Sequence, residues 1–71
     1  MDLKPWQQRV IDEKNELDDR VTKLSIFIES PAFNEVDIME QNRLRMQLEL
    51  MLELQVVLLA RIRVFQPLRS K

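Results

Sequence analysis

Residues 48–60 read LELMLELQVVLLA: ten apolar residues in thirteen, with neither Gly nor Pro among them. A helix buried on one side needs a single apolar stripe. In this stretch apolar side chains run nearly all the way round. The chain has 71 residues, too few to supply elements that would cover such a helix from every direction. The surplus therefore predicts self-association or a partner.

Outward from that stretch the sequence is helical. It contains no Gly, the residue that supplies positive-φ turns and close-approach phosphate loops. Phosphate-cradling and dinucleotide-binding fingerprints are thereby excluded, and tight β-hairpins are disfavoured. Leu, Glu, Gln, Arg, Lys and Met, all good helix formers, dominate. Three prolines divide the chain. Pro5 suits the first turn of a helix, and Ser30-Pro31 stops that helix because the residue before proline is pushed out of the α region. Ser30 is a candidate cap for a short turn starting at Pro31. Asp37 and Glu40 have capping-box spacing, and Pro67 closes the second helix. The expected fold is all-α: one domain over residues 1–71, an antiparallel hairpin with helices at about 5–29 and 38–65 and a turn over 30–37.

Both helices carry a seam. Leu3, Val10, Leu17 and Leu24 recur every seven residues, interleaved with Gln7, Lys14, Val21 and Ile28, in the four-three alternation of a coiled coil. The matching seam of the second helix is Leu44, Leu48, Met51, Gln55, Leu58, Ile62 and Phe65. Setting Ile28 opposite a residue near 40 brings residues 6–10 against 60–65. Two further stripes, Leu50/Leu54/Val57/Val64 and Leu52/Val56/Leu59, point away from the seam. They would leave an apolar patch larger than soluble monomers tolerate. Leu48, Met51, Leu52, Gln55, Val56 and Leu59 are the candidate subunit interface.

Composition narrows the chemistry. A domain of this size has a barely sufficient core. With no Cys there is neither a disulfide nor a thiolate metal site, and with no His the usual general base is missing. Ser25, Ser30, Thr22 and Ser70 thus lack an activating base. The acids Asp12, Glu13, Glu16, Asp18 and Asp19 read as a solvated helix face, and no loop offers an oxygen cage for a cation. No enzyme activity, metal or cofactor is expected. A net charge of −1 disfavours non-specific nucleic-acid binding. No secretory h-region follows Asp2, and Glu49, Glu53 and Arg61 interrupt any membrane span. These features predict a soluble intracellular protein.

Polar residues at seam positions, Gln7, Lys14 and Gln55, tend to fix register or oligomer state; a lysine there also snorkels, with its stem covered and its ammonium in water. At the open end of the hairpin Trp6, Gln7, Arg9 and Lys14 approach Arg61, Arg63 and Phe65, with Arg69 and Lys71 beyond. An aromatic plane beside cations suits a nucleotide, by stacking and by charge-assisted hydrogen bonds to phosphate. The candidate ligand residues are Trp6, Gln7, Arg9, Lys14 and Arg61. The plain alternative is that basic residues favour helix C-termini and pair with Asp12 and Glu13.

The stretch Lys4-Pro5-Trp6-Gln7-Gln8-Arg9-Val10, then Glu13-Lys14-x-x-Leu17, Leu24 to Ile28, Pro31-Ala32-Phe33, Glu40, Leu44, Gln47, Met51 and Arg61-Ile62-x-x-Phe65, resembles a family of short phage and prophage helical-hairpin proteins named after a crAss-like phage gene product. The resemblance covers roughly residues 4 to 65. Family members often carry His where Trp6 stands and an aromatic where Leu54 or Gln55 stands. The resemblance implies a phage accessory protein in the host bacterial cytoplasm. In size, helicity and oligomerisation the chain is also similar to the small sponge proteins that block CBASS, Thoeris and type III CRISPR signalling. That similarity implies a homo-oligomer holding a cyclic nucleotide or a cyclic ADP-ribose derivative between subunits. The competing expectation is an inhibitor or adaptor that docks the apolar face of the second helix onto a host defence or phage protein.

Overall fold

The computed structural model describes residues 3–65. Two α-helices enclose a single short 3-10 turn, with no strand among the described residues. Helix α1 spans Pro5–Ile28, the turn Pro31–Glu35, and α2 Ile38–Phe65. The helices lie antiparallel as a hairpin measuring 49 × 26 × 14 Å. The sequence expectation of the helix bounds holds to within one residue.

Local chemistry sets the ends. Pro5 occupies the first position of α1, and the Lys4 backbone N–H donates to Gln7 Oε1 at 2.8 Å. Seam residue Gln7 therefore spends one amide atom on tying the helix start. At the other end Ser30 is extended (φ −89°, ψ 157°), as the following proline requires. Its hydroxyl donates back to the Phe27 carbonyl at 2.7 Å. Ser30 thus closes α1, and only its backbone carbonyl, accepting from Phe33 N–H at 3.1 Å, opens the turn. Asp37 caps α2 by accepting from Met39 N–H at 3.0 Å. Glu40 does not complete a capping box, because its carboxylate accepts from Arg43 Nε at 2.7 Å. No described residue has positive φ, so a chain without glycine turns the corner using a 3-10 turn between two extended residues, Ser30 and Val36.

Every seam residue of both helices is buried or half-buried. Val10, Leu17, Val21 and Leu58 form the core, with Leu48, Met51, Ile62 and Phe65 against it. At the closed end Phe33 plugs the hairpin at 1% exposure. Its ring meets Phe27 edge-on at 5.7 Å and lies under the Arg45 guanidinium at 4.9 Å. Gln41 extends the α2 seam one step below Leu44 and is buried. Its Nε2 donates to the Phe33 carbonyl at 3.1 Å and the Val36 carbonyl at 2.8 Å, so the turn is stitched to α2 through a polar side chain whose burial is repaid by two hydrogen bonds.

Candidate functional site

The antiparallel register brings the second residue of α1 against the last of α2. The Trp6 and Phe65 ring centroids lie 5.6 Å apart at 72°, an edge-to-face pair of the favoured geometry. Together with Gln7, Arg61 and Val64 they line an open recess of about 460 Å³. Phe65 packs against the core, so it fixes one wall. Trp6 remains 46% exposed and presents a free ring surface. Arg61 stands one turn before Phe65, exposed, and forms no ion pair among the described residues. Gln7 also lines the recess, and its amide oxygen is held by the Lys4 backbone N–H. The walls therefore offer aromatic and aliphatic surface, one guanidinium and one amide. That set can hold a planar, anionic molecule. It contains no acid–base pair.

The sequence-level cluster divides. Trp6, Gln7 and Arg61 come together as expected. Arg9 is exposed and lies outside the recess. Lys14 is two turns from Gln7 and belongs to a second recess of about 420 Å³, with Leu52, Gln55, Val56 and Leu59. Its ammonium pairs with Asp18, 2.9 Å to Oδ2 and 3.2 Å to Oδ1. Gln55 Nε2 donates across the seam to Asp18 Oδ1 at 2.7 Å. The Lys14 hydrogen bond holds the Asp18 carboxyl below its ordinary range, with partial burial opposing and the Gln55 hydrogen bond assisting. Lys14 does more than snorkel: with Asp18 and Gln55 it forms a three-residue polar clasp between the helices. Arg69 and Lys71 lie outside the described residues.

Val64 and Asp18 were not legible as members of these sites. Val64 follows Arg61 by three residues and so shares its face; Asp18 is one turn from Lys14. Among the described residues Asp12 and Glu13 form no ion pair with Arg61 or Arg63; Asp12 accepts from Gln8 at 3.0 Å.

The candidate interface residues also divide. Leu48 and Met51 pack against the hairpin core, and Gln55 is held by Asp18. Leu52, Val56 and Leu59 face outward, Val56 at 68% exposure. Among the described residues no three His, Cys, Asp or Glu side chains gather as a metal site, and no helix is long and apolar enough to cross a membrane.

A protein-family model described as Sequestin matches residues 4–64, nearly the whole chain, and the protein belongs to that family. No curated protein and no solved structure matches.

Proposed function

We propose that this Sequestin-family chain is a phage-encoded anti-defence protein that binds a cyclic nucleotide-type immune second messenger and withholds it without cleaving it. The family's name points to holding a molecule, not converting one. The observation that carries the reading is the recess at the open end: an exposed Trp6 ring beside an Arg61 guanidinium that forms no ion pair among the described residues. A base stacks on Trp6, Arg61 pairs with a phosphate, and Gln7 supplies a directional amide. Arg9, exposed on α1 outside the recess, adds long-range attraction for an anion. Lys14, neutralised by Asp18, contributes to the assembly and not to the ligand. The ligand sits between subunits of a homo-oligomer in the bacterial cytoplasm, because the recess on one chain is too open to retain a molecule alone.

The test is native mass spectrometry after incubation with cyclic di- and trinucleotides and cyclic ADP-ribose isomers, followed by chromatography of the released ligand. The expected result is an oligomer carrying one of these molecules intact at a fixed ratio, lost in Trp6→Ala/Arg61→Ala. Release of a cleaved product, or retention by that variant, would overturn the assignment. The exposed flanks of α2 favour a second reading, an inhibitor that docks on a host or phage protein; it predicts an assembly that retains nothing from the panel.

A further inference from the structure

The turn of α1 that carries Trp6 begins without the usual supports. Its N-cap residue is Lys4, whose side chain makes no cap hydrogen bond and whose ammonium has no lone pair with which to accept one. The first turn contains no acid, so no charge there complements the positive end of the helix dipole. Helix α2 begins differently, with Asp37 accepting from Met39 N–H and Glu40 in its first turn. What α1 has instead is Gln7. Lys4 N–H donates to Gln7 Oε1 at 2.8 Å, and Gln7 N–H donates to the Lys4 carbonyl at 2.9 Å. The two bonds close a ring that spans Pro5 and Trp6. Gln7 is half-buried at a seam position whose spacing calls for an apolar residue. An apolar side chain would pack there at least as well, but it could not hold Lys4.

We propose that Gln7 is a positioning residue of the Trp6 recess: its amide oxygen, through Lys4, holds the turn that presents the Trp6 ring, which leaves the amide nitrogen as the part of Gln7 that a ligand can use. Among the described residues the recess is lined by Trp6, Gln7, Arg61, Val64 and Phe65. With the Gln7 oxygen engaged, their side chains offer a ligand hydrogen-bond donors only: the indole N–H, the amide nitrogen and the guanidinium. The groups these match are acceptors, namely phosphate oxygens, carbonyl oxygens and unprotonated ring nitrogens. A ligand ammonium finds no side-chain acceptor in this set. The assignment rests on the proposed ligand site and adds what holds that site ready and which ligand groups it takes.

The test compares Gln7→Leu and Gln7→Glu with the wild-type chain, using its one tryptophan as reporter. Leucine suits the seam but accepts nothing. Glutamate keeps an acceptor for Lys4 N–H and adds the acid that the first turn lacks, but it loses the donor. Acrylamide quenching of Trp6 reads the turn, as does hydrogen exchange at Gln8, whose N–H donates to the Lys4 carbonyl at 3.1 Å. Circular dichroism reads the rest of the hairpin. In Gln7→Leu, with helicity retained, the Gln8 exchange rate is expected to rise about fivefold, the effect of losing about 1 kcal/mol of capping, and Trp6 to quench more readily. Gln7→Glu is expected to match the wild type in both. Gln7→Met reads the same loss should leucine disturb the seam. Wild-type quenching and exchange in the apolar variant, or a Gln7→Glu that behaves like it, would overturn the positioning role. Titration with cyclic di-AMP, cyclic di-GMP and cyclic ADP-ribose reads the nitrogen. Whichever probe the wild type binds, Gln7→Glu is expected to bind at least about tenfold more weakly, because a carboxylate now faces an acceptor; equal binding would overturn the donor assignment. A wild type that binds no probe would count against the proposed function and take the donor assignment with it, while quenching and exchange still decide the positioning role.

Discussion

Helices α1 and α2 share a seam spacing and nearly a length, 24 and 28 residues, yet their outer surfaces are opposites. Helix α1 is laced with local polar pairs, Gln8–Asp12, Glu16–Arg20 and Asp19–Lys23 on its outer face and Lys14–Asp18 at the edge of its seam, each four residues apart. Among the described residues helix α2 has one ion pair, Glu40–Arg43, three residues apart near its start, and from Met46 to Val64 it displays apolar side chains on both flanks. Pairs of the α1 kind satisfy a helix in water. The α2 surface is stable only when covered. The difference teaches that one helix serves as a solvated brace, while the other meets the brace with its seam and leaves apolar flanks exposed on either side.

The seam is where the two helices should behave alike. Leu58 on α2 and Leu17 on α1 are both buried, Leu58 at 1% exposure. Leu58→Ala and Leu17→Ala should each cost about 2–5 kcal/mol, read by urea unfolding at one fixed chain concentration. A cost confined to α2 would mean that the seam is not shared.

The flanks are where they should differ. In the proposed homo-oligomer Val57→Lys should remove about 1.5–3 kcal/mol of apolar burial per chain, seen as a lower mass by light scattering. Thr22→Lys on exposed α1 surface should leave mass unchanged and stability within about 0.5 kcal/mol. Equal effects would abolish the contrast.

The polar residues of the two seams sharpen it further. Gln41→Ala should destabilise by about 1–3 kcal/mol, since it removes two hydrogen bonds made by a buried side chain, to the Phe33 and Val36 carbonyls. Lys14→Ala should cost less than about 1 kcal/mol, because its partner Asp18 retains solvent and Gln55. Thermal melts of the two variants compare them directly.

The smallest effect is pH-dependent. Asp18 titrates lower in the folded chain than in the unfolded one. Its contribution is therefore complete above the ordinary carboxylate range and fades as pH falls through the folded value. Wild-type and Asp18→Asn melting temperatures should differ slightly at neutral pH and converge below about pH 4. Divergence that grows on acidification would place Asp18 in another environment.

Much of this was written in local patterns. Seven-residue recurrence placed Val10, Leu17 and Leu58 inside, and Pro31 fixed the corner, because periodicity and proline sterics act within a few residues. The site was half legible. Trp6, Gln7 and Arg61 met because the turn length sets their register. Lys14 was drawn instead to Asp18, a choice between two nearby partners that spacing does not resolve. Phe33 escaped because it sits in the turn, where no periodicity marks a buried position, and Gln41 escaped because a polar side chain at a seam position does not announce that its amide is buried against the turn.

By itself the sequence determined the two helices, their seams and the surplus of apolar surface on the second, since each follows from residue type and helical period. Only the tertiary structure decided which polar side chains pair across the seam and that the terminal cluster divides into two recesses. Those outcomes depend on distances between residues far apart in the chain, and such distances exist only once the turn has set one helix against the other.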